Sequence, residues 1–305
     1  MPTISIIIPT YRHGHFVLAT LESVWAQTYR DYEVIVVNDG SPDDTAARLA
    51  PLAESGRIRY VEQANAGQAA ARNLGLELAR GEFVAFLDDD DLWPADKLEW
   101  QVAALRSDAS LGVIGGCCVY FTLSPAPTTE ATGCLRQVTL PSLFSGNPFT
   151  SPGQTLMRTA LVREGGGFDT AIWGADDLDL YMRLVQKARI KITPEIALFY
   201  RRHNTNASRD LKRMLLNSRR VVFKHLHQVA PPLKGGTKRT AYRWLYNYLG
   251  VQLLQRAKAD LKQGEALSAI EHLLALGWIG PGMLRDPGLA VRFLRDITPL
   301  RLRRR

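Results

Sequence analysis

The chain has few cysteines and no long uncharged apolar run, and these absences exclude several classes of protein. Three cysteines in 305 residues cannot supply the disulfide framework of a small secreted domain, and no Cys-x-x-Cys or Cys/His spacing indicates zinc. We therefore expect ordinary reduced cysteines. No stretch reaches the roughly 18 uncharged apolar residues that a membrane-spanning helix needs. Met1 to Pro9 is too short for a signal peptide and has no basic residues. We expect a cytoplasmic chain, soluble or peripheral at the inner face of the membrane.

Two glycine-rich phosphate-binding motifs are also missing. The loop after the first apolar stretch, TYRHGH (10–15), holds one glycine where a dinucleotide-binding GxGxxG needs three. No GxxxxGK[ST] phosphate loop occurs anywhere in the chain. Any nucleotide must therefore be bound by other means.

Charge is distributed unevenly. Residues 211–305 contain 19 lysines and arginines but 5 aspartates and glutamates, which gives a net charge of +14, whereas residues 1–210 have a net charge of −6. We predict an acidic domain over 1–210 and a basic helical region over 211–305. No nucleic-acid-binding motif accompanies the basic charge, and Trp244 and Tyr248 fall at helical spacing, which packing would explain. Two interpretations of this region stay open, namely contact with an anionic membrane surface and a solvated helical extension that caps the preceding domain.

The first half alternates apolar strands with amphipathic helices. Ile-rich stretches without polar alternation are typical of parallel strands buried on both faces. We therefore predict an α/β fold with a mostly parallel central sheet and helices on both faces, followed by a C-terminal helical extension. The predicted strands are 3–9, 32–38, 57–61, 83–87, 111–121, 151–157 and 190–200, with a Pro/Thr-rich loop over 124–132.

The stretch FVAFLDDDDLW (83–93) organises the rest of the chain. A short apolar strand runs directly into four aspartates. Four adjacent carboxylates repel one another unless a cation neutralises them, and hard divalent cations take oxygen ligands. Ligands of open α/β sheets collect at the carboxyl ends of the strands. The stretch predicts a divalent metal and a phosphate group that the metal bridges; a solvated acidic turn is the alternative.

Seven motifs in this order resemble the inverting nucleotide-sugar glycosyltransferases of family 2, which have the GT-A fold. The resemblance covers about residues 3–208. The motifs are IIIPTY (6–11), VVNDGS (36–41), NAGQAAARNLG (65–75), FLDDDD (86–91), GGFD (166–169), DDLDLYMRL (176–184) and YRRH (200–203).

The resemblance implies transfer of a sugar, with inversion, from a nucleoside-diphosphate donor, most simply a UDP-sugar. Asp39 would bind the nucleotide base, and the alternative for this residue is a turn-forming aspartate. Arg72 would lie near the donor phosphates, and its alternative is an exposed helix arginine. The other residues implied to line the base pocket are Pro9, Thr10, Tyr11 and Arg12.

The four aspartates match the DxD signature of the family, which implies Mn²⁺ or Mg²⁺ as cofactor. Asp88 would contact the ribose and the metal, and Asp90 would be a direct metal ligand. Asp89 occupies the variable position between them and is implied to help bind the donor. Asp91 would contact the sugar or support the ligands. His203 would meet the metal or the diphosphate.

The same resemblance implies a general base at the start of DDLDLYMRL. Asp177 would take the proton of the acceptor hydroxyl, and Asp176 would be the second candidate or would position acceptor hydroxyls. The family more often has Glu-Asp at these two positions. Trp173 would stack on a sugar, with core packing as its alternative. The acceptor would be a saccharide or a lipid-linked saccharide.

Two other functions fit parts of the sequence. FVAFLDDDDL also resembles the haloacid-dehalogenase phosphatase signature, although Leu92 stands where that signature has Thr or Val, and Asp39 would then have no role. A non-catalytic nucleotide-sugar-binding module is the third hypothesis. Binding alone needs no general base, so the candidate base Asp177 argues against it.

Overall fold

A computed structural model of the chain describes residues 1–122, 137–204, 206–277 and 286–297. The chain divides into two compact units. The sheet unit comprises Met1–Leu140, Pro148–Ala171 and Asp179–Asn204, and the helical unit comprises Pro141–Asn147, Ile172–Leu178 and Thr205–Arg305. The predicted boundary at residue 210 remains a prediction, and two short segments from before it group with the helices. The predicted loop over 124–132 lies outside the described residues.

The first half of the sheet unit is a parallel sheet built from alternating strands and helices. β1 pairs with β2 on one side and with β4 on the other, and β2 pairs with β3, all in parallel. The elements are β1 (Ile4–Thr10), α1 (Gly14–Trp25), β2 (Tyr32–Asn38), α2 (Thr45–Glu54), β3 (Arg59–Glu62), α3 (Gln68–Leu78) and β4 (Phe83–Phe86).

The second half continues the same sheet with mixed strand directions. Across the described residues the strand order is β3-β2-β1-β4-β7-β5-β8-β6. β7 runs antiparallel to β4 and β5, β8 runs parallel to β5, and β6 runs antiparallel to β8. The elements are α4 (Lys97–Ser107), β5 (Leu111–Phe121), β6 (Gln137–Val138), α5 (Leu140–Leu143), β7 (Thr155–Arg158), α6 (Thr159–Glu164), α7 (Asp176–Leu184) and β8 (Arg189–Arg201).

Burial explains why the central strands lack polar alternation. Every residue of β1 is buried, as expected for a strand covered on both faces. α3 lies very close to this strand, since a Cβ added at Gly75 would come within 2.3 Å of Ile7 Cγ2. The α/β architecture with a mostly parallel central sheet is therefore confirmed.

The strand predicted over 151–157 is correct only in its second half. The Ser151 hydroxyl accepts a hydrogen bond from the Gly153 N–H, and Pro152 provides the fixed φ of a first helical residue. A 3₁₀ turn over Pro152–Gln154 therefore precedes β7. Local capping chemistry overrides the apolar pattern here.

The cysteines also differ from expectation. Cys118 is a buried thiol, as expected, but Cys117 is disulfide-bonded. Burial raises the pKa of the Cys118 thiol to about 12, so this thiol stays protonated.

The helical unit is a cluster of helices, which confirms the helical C-terminal region. Its apolar core includes Leu215, Tyr246, Leu249 and Leu254. Within the described ranges, no helix combines the length and apolar character needed to cross a membrane. The elements are α8 (Leu211–His225), α9 (Pro231–Leu245), a π-helical turn (Tyr246–Gly250), α10 (Val251–Gln263), α11 (Ala266–Leu276) and α12 (Pro287–Ile297).

Candidate functional site

The carboxyl ends of β1, β2 and β4 lie at one edge of the sheet, because these strands are parallel neighbours. The loops that follow them contain most of the residues predicted to bind the donor. Thr10 ends β1 and is buried, whereas Tyr11 and Arg12 are exposed. Arg12 adopts a positive φ of 60°, and its N–H donates to the Ser41 hydroxyl in the loop after β2. This contact joins the two predicted parts of the base pocket.

Asp39 holds the loop that leads into α3. Its Oδ1 accepts hydrogen bonds from the Gln63 side chain at 2.7 Å and the Ala66 N–H at 2.8 Å, and its Oδ2 accepts from the Gly67 N–H at 2.9 Å. The Asn65 amide donates to the Asp39 carbonyl. Asp39 is buried, and its hydrogen bonds hold this loop in place. The same residue lies where the nucleotide base was predicted to bind.

Asp88 is fixed from three directions. Its Oδ1 accepts from Arg72 Nη2 at 2.6 Å and from the Gln68 side chain at 2.9 Å, and its Oδ2 accepts from the Ser151 hydroxyl at 3.0 Å. Arg72 is buried, with its guanidinium 5.2 Å from the Phe168 ring centre. The alternative of an exposed helix arginine is therefore wrong, and a buried cation lies beside the first aspartate.

Asp89 faces the loop after β1. Its Oδ1 lies 2.8 Å from His13 Nδ1, and its Oδ2 accepts a hydrogen bond from the Tyr11 N–H. Burial raises the pKa of Asp89, although His13 opposes that shift. Burial also lowers the pKa of His13, but the hydrogen bond to Asp89 and the neighbouring aspartate charges outweigh it, so the pKa of His13 is raised overall.

Asp90 meets the segment that follows β8. Its Oδ2 lies 2.8 Å from His203 Nε2, and its carbonyl accepts a hydrogen bond from Arg201 Nε. The rings of His203 and His13 are 5.5 Å apart in an edge-to-face arrangement. Two predicted metal residues, Asp90 and His203, are therefore neighbours.

One group within the described residues has the composition and spacing of a metal site. His13, Asp90 and His203 each offer one ligand atom, and these atoms lie within 4.8 Å of one another. Asp88, also predicted as a ligand, is not part of this group. His13 was not predicted as a metal ligand. Its position in the loop directly after β1 is a signal that could have indicated this role from the sequence.

Asp91 differs from the three aspartates before it. It is fully buried, its Oδ1 accepts a hydrogen bond from the Arg201 N–H, and its Oδ2 has no hydrogen-bond partner among the described residues. Burial and the charges of the other aspartates raise the pKa of Asp91 well above its usual value, which favours the protonated acid. This buried residue anchors the strand end to the β8 segment. Its predicted role in supporting the ligands or contacting the sugar stays a prediction.

The predicted base lies in the helical unit, at the start of α7. Asp176 and Asp177 are both buried. Asp177 Oδ2 accepts a hydrogen bond from the Asn147 side chain at 2.8 Å, and its Oδ1 accepts the Leu178 N–H at 2.7 Å. These contacts fix the orientation of the Asp177 carboxylate.

Trp173 precedes this pair in the same unit. It is half-buried, and the Arg213 guanidinium lies 4.1 Å from its ring centre. Its N–H donates to the Asn217 side chain. Gly174 has a positive φ of 69°, and a Cβ there would lie 2.5 Å from Met214 Sδ. The turn before Asp176 therefore requires glycine.

Comparison with solved structures defines the class of fold as GT-A. Staphylococcus aureus TarS (residues 1–349, in complex with UDP-GlcNAc) matches with a TM-score of 0.67 and 20% identity, over 90% of this chain and 81% of that one. The mannosyltransferase PcManGT of Pyrobaculum calidifontis, in complex with GDP-Man and Mn²⁺, matches with a TM-score of 0.62 and 22% identity, over 93% and 87% of the two chains.

The sequence then defines the family. The model of glycosyl transferase family 2 matches residues 5–166, more than half of the chain, and the chain belongs to this family. This membership confirms the resemblance and leaves the phosphatase alternative without support.

Curated relatives cover shorter stretches. An uncharacterized glycosyltransferase of Rickettsia conorii is 31% identical over 194 residues, which are 61% of this chain and 31% of that protein. The Escherichia coli UDP-Glc:alpha-D-GlcNAc-diphosphoundecaprenol beta-1,3-glucosyltransferase WfgD is 42% identical over 103 residues, 33% of this chain and 40% of that protein. The chain thus spans well under half the length of these relatives.

Proposed function

We propose that this protein transfers a sugar from a nucleoside-diphosphate donor, with UDP as the favoured nucleotide, to a hydroxyl of a saccharide or lipid-linked saccharide, with inversion. The observation that carries the proposal is the convergence of Asp39, Arg72, Asp88 and the His13–Asp90–His203 group on the carboxyl ends of adjacent parallel strands. Family membership and relatives that bind or are named for UDP-sugars support it.

The donor would be bound by the loops after β1, β2 and β4. Tyr11 and Arg12 are exposed beside the Asp39 loop, where a flat base would contact them. Arg72 brings a buried positive charge to Asp88, and such a cation stabilises the diphosphate charge that grows as the sugar departs.

The residues present fit a divalent cation. Asp90 offers a carboxylate oxygen, and His13 and His203 offer imidazole nitrogens. Because Nδ1 of His13 is hydrogen-bonded to Asp89, Nε2 is the nitrogen that this ring can offer to a metal. Nitrogen ligands favour Mn²⁺ over Mg²⁺, which prefers an all-oxygen shell. A bound cation would neutralise charge on the diphosphate leaving group.

In the transfer step, the acceptor oxygen forms a bond to the anomeric carbon from the face opposite the diphosphate. The carbon–oxygen bond to the diphosphate breaks, and its electron pair leaves with the nucleotide. Asp177 accepts the hydroxyl proton, and Asn147 orients this carboxylate. Asp176, buried next to it, is the second candidate for this role. A single displacement of this kind inverts the anomeric centre.

A lipid-linked acceptor would place the enzyme at a membrane surface, and the helical unit has a suitable face. On α11, Leu267 and Leu274 are exposed by 80% and 69%, and Ile270 between them is also exposed. Residues 211–305 carry the net charge of +14, which would attract anionic lipids. An apolar helix face in a basic region is the combination that binds membrane surfaces.

Two measurements on the full chain test the central proposal. UDP-GlcNAc and UDP-glucose, each with and without Mn²⁺, should raise the melting temperature, with the larger shift when metal is present. Product analysis should show a sugar of inverted anomeric configuration. Donor binding without any turnover across a panel of saccharide acceptors would instead support the non-catalytic binding module.

A further inference from the structure

A second concave site lies entirely within the helical unit and has no role in the steps described above. It is a pocket of about 550 Å³. Two aromatic rings and four polar side chains line it, and its lining residues are Ser145, Thr240, Arg243, Trp244, Asn247 and Tyr248.

The two aromatic rings are stacked on each other. Trp244 and Tyr248 are nearly parallel, with an angle of 11° between their planes and 6.0 Å between ring centres. Tyr248 is 48% exposed and Trp244 is half-buried, while their neighbours Tyr246 and Leu249 are buried in the core. Trp244 packs against the core as its spacing predicts, and Tyr248 stacks on Trp244 while about half of its own surface stays exposed. Exposed aromatic rings beside polar groups are typical of ligand sites.

The helix itself is irregular at this place. Tyr248 lies within the π-helical turn Tyr246–Gly250, and Trp244 lies just before it. π-helical turns are rare inside α-helices and are frequent at functional sites. Two of the lining residues, Asn247 and Tyr248, lie in this irregular turn.

The polar groups around the rings are suited to hydroxyl groups. Asn247, Thr240 and Ser145 are exposed and offer neutral donors and acceptors. Arg243 is held by the buried Asp286 through two hydrogen bonds, Nε to Oδ2 at 2.6 Å and Nη2 to Oδ1 at 3.1 Å. Because Asp286 already balances this cation, Arg243 offers fixed donors rather than a net charge.

One short segment joins this pocket to the proposed base. Gly146 lies against Trp244, since an added Cβ would come within 3.3 Å of the indole Nε1, and its φ is +155°. Ser145 lines the pocket, and the next residue but one, Asn147, donates to Asp177 Oδ2. A ligand that moves this segment would therefore also affect the orientation of Asp177.

We propose that the pocket binds a saccharide, with a pyranose C–H face against the stacked Trp244–Tyr248 pair and its hydroxyls on Asn247, Thr240, Ser145 and Arg243. Parallel rings with neutral hydrogen-bonding groups match a molecule that has apolar faces and a hydroxyl rim, and they do not match a phosphate. Within the proposed function, on which this part rests, the bound saccharide is a sugar unit of the acceptor distant from the reacting hydroxyl.

The test uses the full chain and defined probes. Saturation-transfer NMR with cellobiose, maltose and N,N′-diacetylchitobiose should show binding of at least one disaccharide, weakened about tenfold in Trp244→Ala and in Tyr248→Ala because each removes an aromatic anchor. Trp244→Phe should retain most of the binding. Leu233→Ala changes an exposed apolar residue of the same helix outside the pocket and should match the wild type.

Donor binding separates the failure of this inference from the failure of the proposed function. UDP-GlcNAc with Mn²⁺ should bind Trp244→Ala as it binds the wild type. If no nucleotide-sugar binds but saccharide binding depends on Trp244, the transferase proposal fails and the pocket stands. No saccharide binding, or saccharide binding equal in Trp244→Ala and the wild type, would overturn the pocket. Vesicle binding that requires Trp244 without any saccharide signal would overturn it as well.

Discussion

The two units of this protein differ in which side chains they bury and which they expose. In the sheet unit, buried charged groups at the strand ends are paired, as Arg72 is with Asp88 and Asp90 is with His203. In the helical unit, apolar side chains such as Leu267 and Tyr248 are exposed. Preorganised charges suit a small anionic donor, whereas exposed apolar and aromatic surfaces suit a larger partner with apolar faces. Donor binding and acceptor handling should therefore be separable by mutation.

The strongest test of this division is Asp177→Asn. Loss of a general base should lower kcat by about 10²- to 10⁴-fold. The donor affinity should stay the same, because Asp177 belongs to the helical unit. Steady-state turnover and calorimetric titration with UDP-GlcNAc and Mn²⁺ measure the two effects.

Asn147→Ala is the matched control for this prediction, since it removes the hydrogen bond to Asp177 but keeps the carboxylate. We expect a smaller loss of kcat than in Asp177→Asn. An Asp177→Asn variant that kept full turnover, or that lost donor binding, would contradict the assignment and the separation of roles.

The next largest effect concerns the metal. His13→Ala should weaken Mn²⁺ affinity by at least about tenfold, the scale seen when residues around a metal are removed. The reason is that His13 is a member of the only group of potential ligands recognised among the described residues. Electron paramagnetic resonance of free Mn²⁺ during a titration measures this affinity directly.

His15→Ala provides the control for that experiment. His15 is an exposed histidine two residues away, and it does not belong to the ligand group. Equal Mn²⁺ affinity in His13→Ala and His15→Ala would remove His13 from the metal site and restore the ligand set predicted from sequence, Asp90, Asp88 and His203.

The contrast between His13 and His203 shows what the sequence could predict. Strand ends and local motifs placed Asp39, the four aspartates and His203 at one edge of a parallel sheet, because alternating strands and helices predict parallel strands whose carboxyl ends meet at the same edge. His13 and Ser151 reach the aspartates through contacts between residues more than 60 positions apart. Such contacts depend on loop conformation, here the positive φ of Arg12 next to His13, which periodicity does not encode.

The helical unit was less predictable for a different reason. Its helices follow from apolar spacing, but the π-helical turn Tyr246–Gly250 departs from the 3.6-residue period on which that spacing argument depends. Tyr248 stacks on Trp244, but its spacing did not predict that about half of its surface would be exposed. The segments Pro141–Asn147 and Ile172–Leu178 also belong to the helical unit. This grouping depends on tertiary contacts, which the local sequence pattern does not predict.

A weaker effect is expected at the exposed face of α11. The double variant Leu267→Glu/Leu274→Glu should reduce binding to vesicles that contain anionic lipid by several-fold, because it replaces apolar contacts with repelled charges. Vesicle sedimentation at low salt measures the bound fraction. Leu233→Glu, an exposed leucine on α9, is the control. If both variants bound vesicles as the wild type does, membrane contact by this face would be excluded.

The smallest effect that we expect is on the pH dependence of stability, and it tests whether the sheet unit buries an ionisable group away from water. Lys97 is fully buried, and its ammonium group contacts Gln101 Oε1 at 2.7 Å and the Trp93 ring at 4.0 Å. Burial lowers the pKa of Lys97 well below its usual value of 10.5. Between the folded and unfolded pKa values, the unfolded chain binds one proton more than the folded chain. Stability should therefore rise with pH across this window and level off above about 10.5.

Lys97→Met nearly preserves the side-chain volume and removes the titrating group. It should therefore lower the slope of the free energy of unfolding against pH by up to about 1.4 kcal/mol per pH unit. Lys191→Met, at an exposed lysine of β8, should leave the slope unchanged. Denaturant unfolding at several pH values from neutral to alkaline gives all three slopes. A Lys97→Met slope equal to that of the wild type would show that water reaches this ammonium group, and that the sheet unit is less closed to solvent than its paired aspartates indicate.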